Sequence, residues 1–249
     1  QSGDTSSNIS VSLDNVNGAN VADAPISGTS DVGANRTVTL VISDASGKRV
    51  TVTAVTDTDG NYRTTADLSG LADGNLTVVA SVTDAAGNPA SATDDTSLLD
   101  TGASATISVD SITADDILNA QEAAGNVLVT GTVGGDAGVG DTVTMVINGT
   151  TYTTQVMALA GGGLGFSVSV AGSDLAVDTA FTATVTGSDD AGNPFSASST
   201  STHTVDTTAN ITVSLDNVNG ANVADAPISG TSDVGANRTV TLVITDANG

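Results

Sequence analysis

Residues 8–47 return almost unchanged as residues 210–249, and that repetition constrains the chain more than any other feature. Asn8-Ile9-Ser10-Val11-Ser12-Leu13-Asp14 reappears as Asn210-Ile211-Thr212-Val213-Ser214-Leu215-Asp216, and the two segments differ only at Ser10/Thr212, Ser43/Thr245 and Ser46/Asn248. A single folded enzyme has little use for one long segment twice, whereas a molecule built by adding units end to end does. A finer mark runs through the chain. Asp4, Asp100 and Asp206 each open a segment that closes at Asp14, Asp110 and Asp216. Between them apolar residues alternate in one phase: Ile9/Val11/Leu13, Ala105/Ile107/Val109 and Ile211/Val213/Leu215. A period of two sends successive side chains to opposite faces, the pattern of a half-buried strand. These marks divide the chain into the end of a preceding repeat with its linker (1–7), a repeat of one type (8–100), a repeat of a second type (101–206) and the first strands of another copy of the first type (207–249). Each full repeat has about a hundred residues, the size of one small domain.

Within 8–100, seven strand-like runs are expected at 8–13, 24–30, 36–43, 48–56, 61–67, 75–83 and 89–99. Turn sequences punctuate them, among them Asp44-Ala45-Ser46-Gly47, Asp57-Thr58-Asp59-Gly60 and Asp84-Ala85-Ala86-Gly87-Asn88-Pro89. The second repeat carries a matching Asp189-Asp190-Ala191-Gly192-Asn193-Pro194 turn and an Asn148-Gly149 hairpin signal. It differs in a longer connection from Asp110 to Gly131 and in Gly161-Gly162-Gly163 where the first repeat has Asp57–Gly60. Seven short alternating strands per hundred residues predict an all-β chain: tandem Ig-like, seven-stranded Greek-key β-sandwiches arranged end to end. No segment reads as a helix of useful length, because Glu and Lys, which solvate helices, are nearly missing.

The chain has 28 acidic and 5 basic residues and a net charge of −23. Such acidity repels nucleic acid and anionic membrane surfaces and favours cations. Without cysteine, neither disulfides nor thiol chemistry contribute. No signal peptide and no apolar run of membrane-spanning length is visible. The only aromatic residues are Tyr62, Tyr152, Phe166, Phe181 and Phe195, so Val, Ile, Leu and Ala must build modest cores.

The aspartates concentrate at turns and linkers. In sandwiches strung end to end, topology predicts which loops share an end. Asp100 is expected to meet Asp14 and Asp23 of the first repeat and Asp189 or Asp190 of the second. Asp4 is expected to meet Asp84, with Asp57 and Asp59 close by. Asp206 is expected to meet Asp110, Asp115 or Asp116, and Glu122, the only glutamate. Carboxylates gathered in this way repel one another unless a cation lies between them. Oxygen ligands without His or Cys select Ca²⁺ over zinc or copper, and Mg²⁺ resists the dehydration such a site demands. The competing reading is that each is an ordinary solvated turn aspartate.

Catalysis has little to draw on. His203 is the only histidine and has no nucleophile in motif context. Adjacent acids such as Asp94-Asp95 point to opposite faces of a strand, and no aromatic platform could hold a sugar. The chain is therefore expected not to be an enzyme.

The segment Asp110-Ser111-Ile112-Thr113-Ala114-Asp115-Asp116-Ile117-Leu118-Asn119-Ala120-Gln121-Glu122-Ala123 resembles the Ig-like extender repeats of giant bacterial adhesins, the RTX and Bap-like adhesins secreted by type I systems. So do Gly187-Ser188-Asp189-Asp190-Ala191-Gly192-Asn193 and the closing Thr204-Val205-Asp206-Thr207-Thr208-Ala209. The first repeat, closing on Leu99-Asp100-Thr101, looks like a related type. The resemblance implies an extracellular stalk on the bacterial surface, stiffened by Ca²⁺ at its linkers, that projects a distal adhesive domain for attachment or biofilm formation. It carries Asp110, Asp116, Glu122, Asp189 and Asp206 over as ligands. The first repeat lacks a Glu equivalent and has a shorter first connection. The partners expected are neighbouring repeats, with the adhesive target bound elsewhere. Two alternatives stand beside this: a subunit of a self-assembling surface fibre, and a module whose loops bind glycan or protein directly.

Overall fold

The computed structural model describes residues 7–248. Alternation decides the local structure. In Thr37–Ser43, Val38, Leu40 and Ile42 face inward and are fully buried, while the residues between them face outward. The first unit contains β1 (Ser12–Leu13), β2 (Val16–Asn17), β3 (Ala24–Thr29), β4 (Thr37–Ser43), β5 (Arg49–Val55), β6 (Asn61–Ala66), β7 (Gly74–Asn75), β8 (Thr77–Thr83), β9 (Pro89–Asp94) and β10 (Leu98–Asp100). Strands β1-β3-β6 form one layer and β5-β4-β8-β9 the other; β2-β10-β7 closes one end. The core between the layers includes Leu13, Ile26, Leu40, Ile42, Tyr62, Val78 and Leu99. Burial of each such side chain is worth about 1.5–3 kcal/mol.

The structure adds a pairing to the runs read in the sequence and departs from them once. The run 48–56 pairs with β4, from Thr37↔Val55 to Ser43↔Arg49, and so flanks the four-stranded layer. The run 89–99 is two strands. At their break, the Asp94 carboxylate accepts Leu13 N at 3.0 Å, Thr96 N at 3.0 Å and Thr96 Oγ1 at 2.6 Å. That Asx turn releases the chain from β8, and β10 then runs parallel to β2 (Leu99↔Val16, Asp100↔Asn17).

The second unit contains β11 (Ala105–Val109), β12 (Ile117–Leu118), α1 (Ala120–Ala123), β13 (Asn126–Gly135), β14 (Thr142–Ile147), β15 (Thr150–Gln155), β16 (Met157–Ala158), β17 (Leu164–Ala171), α2 (Gly172–Val177), β18 (Ala180–Ser188), β19 (Pro194–Thr202) and β20 (Thr204–Val205). Its layers are β11-β13-β17-β16 and β15-β14-β18-β19, around Met145, Ile147, Phe166, Leu175, Ala183 and Val185. The β14–β15 turn is the two-residue hairpin its sequence spells. Asn148 and Gly149 have φ of 50° and 75°, both left-handed, as a type I′ turn requires. In both units a strand glycine lets the first strand close on the core. A Cβ on Gly28 or Gly131 would lie 2.1 Å from the carbonyl of Ser10 or Ser108 and against the ring of Tyr62 or Phe166.

The helices are short. α1 is held by a capping box in which Asn119 Oδ1 accepts Glu122 N at 3.0 Å and Glu122 Oε2 accepts Asn119 N at 2.9 Å. No helix among the described residues is long and apolar enough to cross a membrane. Beyond the second unit, β21 (Ile211–Leu215) and β22 (Ile228–Ser232) pair as β1 and β3 do in their layer, but Ile211, Val213 and Leu215 stay exposed.

Candidate metal-binding linkers

The linkers at Asp100 and Asp206 are each positioned by a short parallel strand pair. β10 lies beside β2, which sets Asp100 next to Asn17. β20 lies beside β12, and Asp206 N then donates to Leu118 O at 3.0 Å, which brings Asp206 beside the 116–122 segment. The backbone topology thus delivers both linker aspartates to the first connection of their own repeat.

The carboxylates themselves are engaged one by one. Asp84 accepts Asn88 N and Asn88 Nδ2 at 2.8 Å each, Ala86 N at 2.8 Å and Ser7 Oγ at 3.0 Å. These donors, Asn88 foremost, pull its pKa from 3.8 down to about 2. Asp189 does the same in the second unit, accepting Asn193 N at 2.7 Å and Asn193 Nδ2 at 2.9 Å, and its pKa is lowered chiefly by the Asn193 side chain. Asp57 accepts Asn61 N at 2.8 Å and Asp59 N at 2.9 Å, with its pKa lowered mainly by Asn61 N–H.

Asp110 Oδ2 accepts Thr130 Oγ1 at 2.7 Å, and Asp206 Oδ1 accepts Thr208 N at 3.2 Å. Asp116 sits at φ 61° with Oδ1 on Ile112 N at 2.9 Å, and its carbonyl accepts Thr204 N at 3.1 Å. Glu122 is the N3 residue of the capping box, a role its Asn-x-x-Glu spelling would have disclosed. Asp59 and Asp190 are exposed turn residues, Asp14 is exposed between β1 and β2, and Asp4 lies outside the described residues. Among the described residues no three acidic or histidine side chains gather as a metal-holding group. The donor set remains oxygen throughout, carboxylate, carbonyl and amide, which is the chemistry Ca²⁺ accepts; Ca²⁺ also takes backbone and amide oxygens, so few carboxylates per site suffice.

The linker holds a feature the sequence reading missed. Asn193, at the turn between β18 and β19, is only 4% exposed and reaches into the first unit. Its Nδ2 donates to Asp100 O at 2.8 Å, and its Oδ1 accepts Gly18 N at 2.8 Å. Asn17 Nδ2 donates to Ala191 O at 2.8 Å in return. His203 is buried in the second unit with Nε2 2.8 Å from Leu175 O.

Two sandwiches of opposed three- and four-stranded or four- and four-stranded layers, joined through such turns, define a tandem array of Ig-like modules. The family described as bacterial Ig-like domain matches residues 5–101. A solved structure of a 1.5-MDa bacterial ice-binding adhesin, studied for its retention at the host cell surface, is 37% identical. It matches 83% of this chain and 68% of its own, with a TM-score of 0.63. A Ca²⁺-stabilized adhesin with which an Antarctic bacterium reaches out and binds ice is 42% identical over 86% of this chain, with a TM-score of 0.62. This chain spans about half, 52%, of the length of that second structure. No protein of curated function matches. The chain belongs to the Ig-like repeats of large bacterial adhesins.

Proposed function

We propose that this chain is an extender segment of a bacterial cell-surface adhesin, stiffened by Ca²⁺ at the connections between repeats, and that its work is mechanical reach without catalysis. The observation that carries the reading is the parallel pairing of β10 with β2 and of β20 with β12, which returns each linker aspartate to an acidic first connection at the end of its own repeat. Adjacent repeats stacked on such ends propagate orientation along the array. The likeness to a Ca²⁺-stabilized adhesin and the net charge of −23 support a cation in that position.

Domain boundaries fall at Asp100 and Asp206 in this reading. At the exit of the second repeat, Asp110, Asp116, Glu122 and Asp206 supply oxygens. At the junction between repeats, Asp14, Asp100, Asp189 and Asp190 do. At the entrance, Asp4, Asp57, Asp59 and Asp84 do. Ca²⁺ would neutralise these groups and hold both sides of each linker together. An adhesive domain elsewhere would contact the target, placing this segment outside the cell in surface attachment and biofilm formation.

Small-angle scattering tests the reading. In millimolar Ca²⁺ the particle is expected to be an extended rod, and excess EDTA is expected to shorten its maximum dimension and add flexibility, chiefly at the Asp206 linker. Superimposable curves would reduce the aspartates to solvated turns and the chain to a passive spacer.

A further inference from the structure

The contact made by Asn193 is not explained by a cation. A primary amide offers two N–H donors and one carbonyl acceptor of two lone pairs. Asn193 spends one N–H on Asp189 Oδ2 (2.9 Å), within its own turn, and the other on Asp100 O (2.8 Å), in the linker. Its Oδ1 takes Gly18 N (2.8 Å), in the first unit. Asn17 closes the contact from the opposite side through Ala191 O. One side chain therefore ties together three segments, the second repeat, the linker and the first repeat, and it is buried while doing so. Truncating this side chain would remove three hydrogen bonds at once, and an amide that is itself buried and fully partnered fixes the geometry of the groups around it.

Each face is shaped by bonds of its own. The Asn17 loop is folded by Asn17 N to Asn20 Oδ1 (2.8 Å) and Ala19 N to Asn17 Oδ1 (2.9 Å). Its copy at Asn219 keeps the same two bonds, Asn219 N to Asn222 Oδ1 (2.7 Å) and Ala221 N to Asn219 Oδ1 (2.8 Å), in a segment that is otherwise exposed. The turn on the other side keeps one internal pattern in both repeats, since Asp84 and Asn88 repeat the bonds of Asp189 and Asn193. Two glycines allow the close approach. A Cβ on Gly18 would lie 3.2 Å from Asn193 Oδ1, and one on Gly192, at φ 88°, would lie 3.3 Å from Asn17 Nδ2.

We infer that the Asp189–Pro194 turn and the Asn17–Asn20 loop form a metal-independent latch between adjacent repeats, with Asn193 as its positioning residue. The chemistry recognised is a preformed Asn-bearing turn of a neighbouring repeat, and the loop at Asn219–Asn222 presents the same surface to such a turn. This deepens the stalk reading and rests on it: the latch sets orientation at this junction while Ca²⁺ adds stiffness.

The chain has no cysteine, so spin labels at Ala45→Cys and Thr151→Cys, both exposed and one in each repeat, report the junction directly by double electron–electron resonance. In excess EDTA the parent chain is expected to keep a narrow distance distribution, and Asn193→Ala to lose the narrow peak. Gly18→Val, which leaves the Asn193 turn intact and blocks the same contact, is expected to lose it too, with unchanged far-UV circular dichroism. A parent distribution that is narrow in Ca²⁺ but broad in EDTA would overturn the latch and leave the calcium-stiffened stalk standing. Narrow peaks in EDTA for the parent and both variants would also overturn it. A distribution broad under every condition would sink both the latch and the stalk.

Discussion

Asp44 shows how one residue can matter structurally without belonging to a linker. Its carboxylate is 7% exposed and carries four donors: Ser46 N (2.9 Å), Ser46 Oγ (2.6 Å) and Lys48 N (3.0 Å) on Oδ1, and Ala72 N (2.9 Å) on Oδ2. The Ala72 N–H leads in lowering its pKa from 3.8 to about 2. A carboxylate whose pKa is depressed on folding adds stability that is complete above its unfolded value and fades as pH falls through its folded one. Asp44→Asn is therefore expected to lower the urea midpoint of the first repeat at pH 7 and to flatten the loss of stability between pH 3.8 and about 2. Parallel acid limbs for parent and variant, followed by circular dichroism, would contradict this account. In the sequence Asp44 reads only as a turn residue; its reach across to Ala72 joins segments that no local pattern connects. Asn193 was missed for the same reason, since its partner Gly18 is 175 positions away.

At the scale of elements, one sequence meets two fates. Thr37-Val38-Thr39-Leu40-Val41-Ile42-Ser43 is a strand held by β5 and β8, with Val38, Leu40 and Ile42 at 0% exposure. The copy Thr239-Val240-Thr241-Leu242-Val243-Ile244-Thr245 forms no strand, and Val240, Leu242 and Ile244 are 47%, 49% and 65% exposed. A strand depends on partners for its hydrogen bonds and on an opposite layer for its apolar face. The described chain provides counterparts of β1 and β3 at β21 and β22, and none of β5 or β8. Leu40→Ala is expected to cost about 2–5 kcal/mol of the first repeat's stability, the range for a truncated core leucine. Leu242→Ala is expected to stay within about 0.5 kcal/mol, as exposed substitutions do. Chemical denaturation of the two variants checks both, and equal costs would mean that the second copy is packed in solution.

Across the whole molecule, charge and cation bear on the same quantity. A ligand bound only by the folded chain stabilises it by mass action, about 2.7 kcal/mol at a concentration a hundredfold above its dissociation constant. Millimolar Ca²⁺ is expected to raise the thermal unfolding midpoint measured by calorimetry, and Mg²⁺ at the same concentration to raise it less, because Mg²⁺ gives up its water reluctantly. Equal shifts from Ca²⁺, Mg²⁺ and sodium chloride of matched ionic strength would assign the effect to screening of the −23 charge alone. The sequence by itself determined the all-β class, the repeat and most strand positions, because a period of two and Asx-Gly turns are local properties of neighbouring residues. It also spelled the β14–β15 hairpin through Asn148-Gly149. Only the tertiary structure decided that the run 48–56 joins the four-stranded layer and that 89–99 breaks at Asp94 to run beside β2. It alone placed Asn193 between two repeats and gave nearly identical sequences different conformations. Each of these depends on which distant groups are available to complete a hydrogen bond or bury a face, and that choice is made only when the chain has folded.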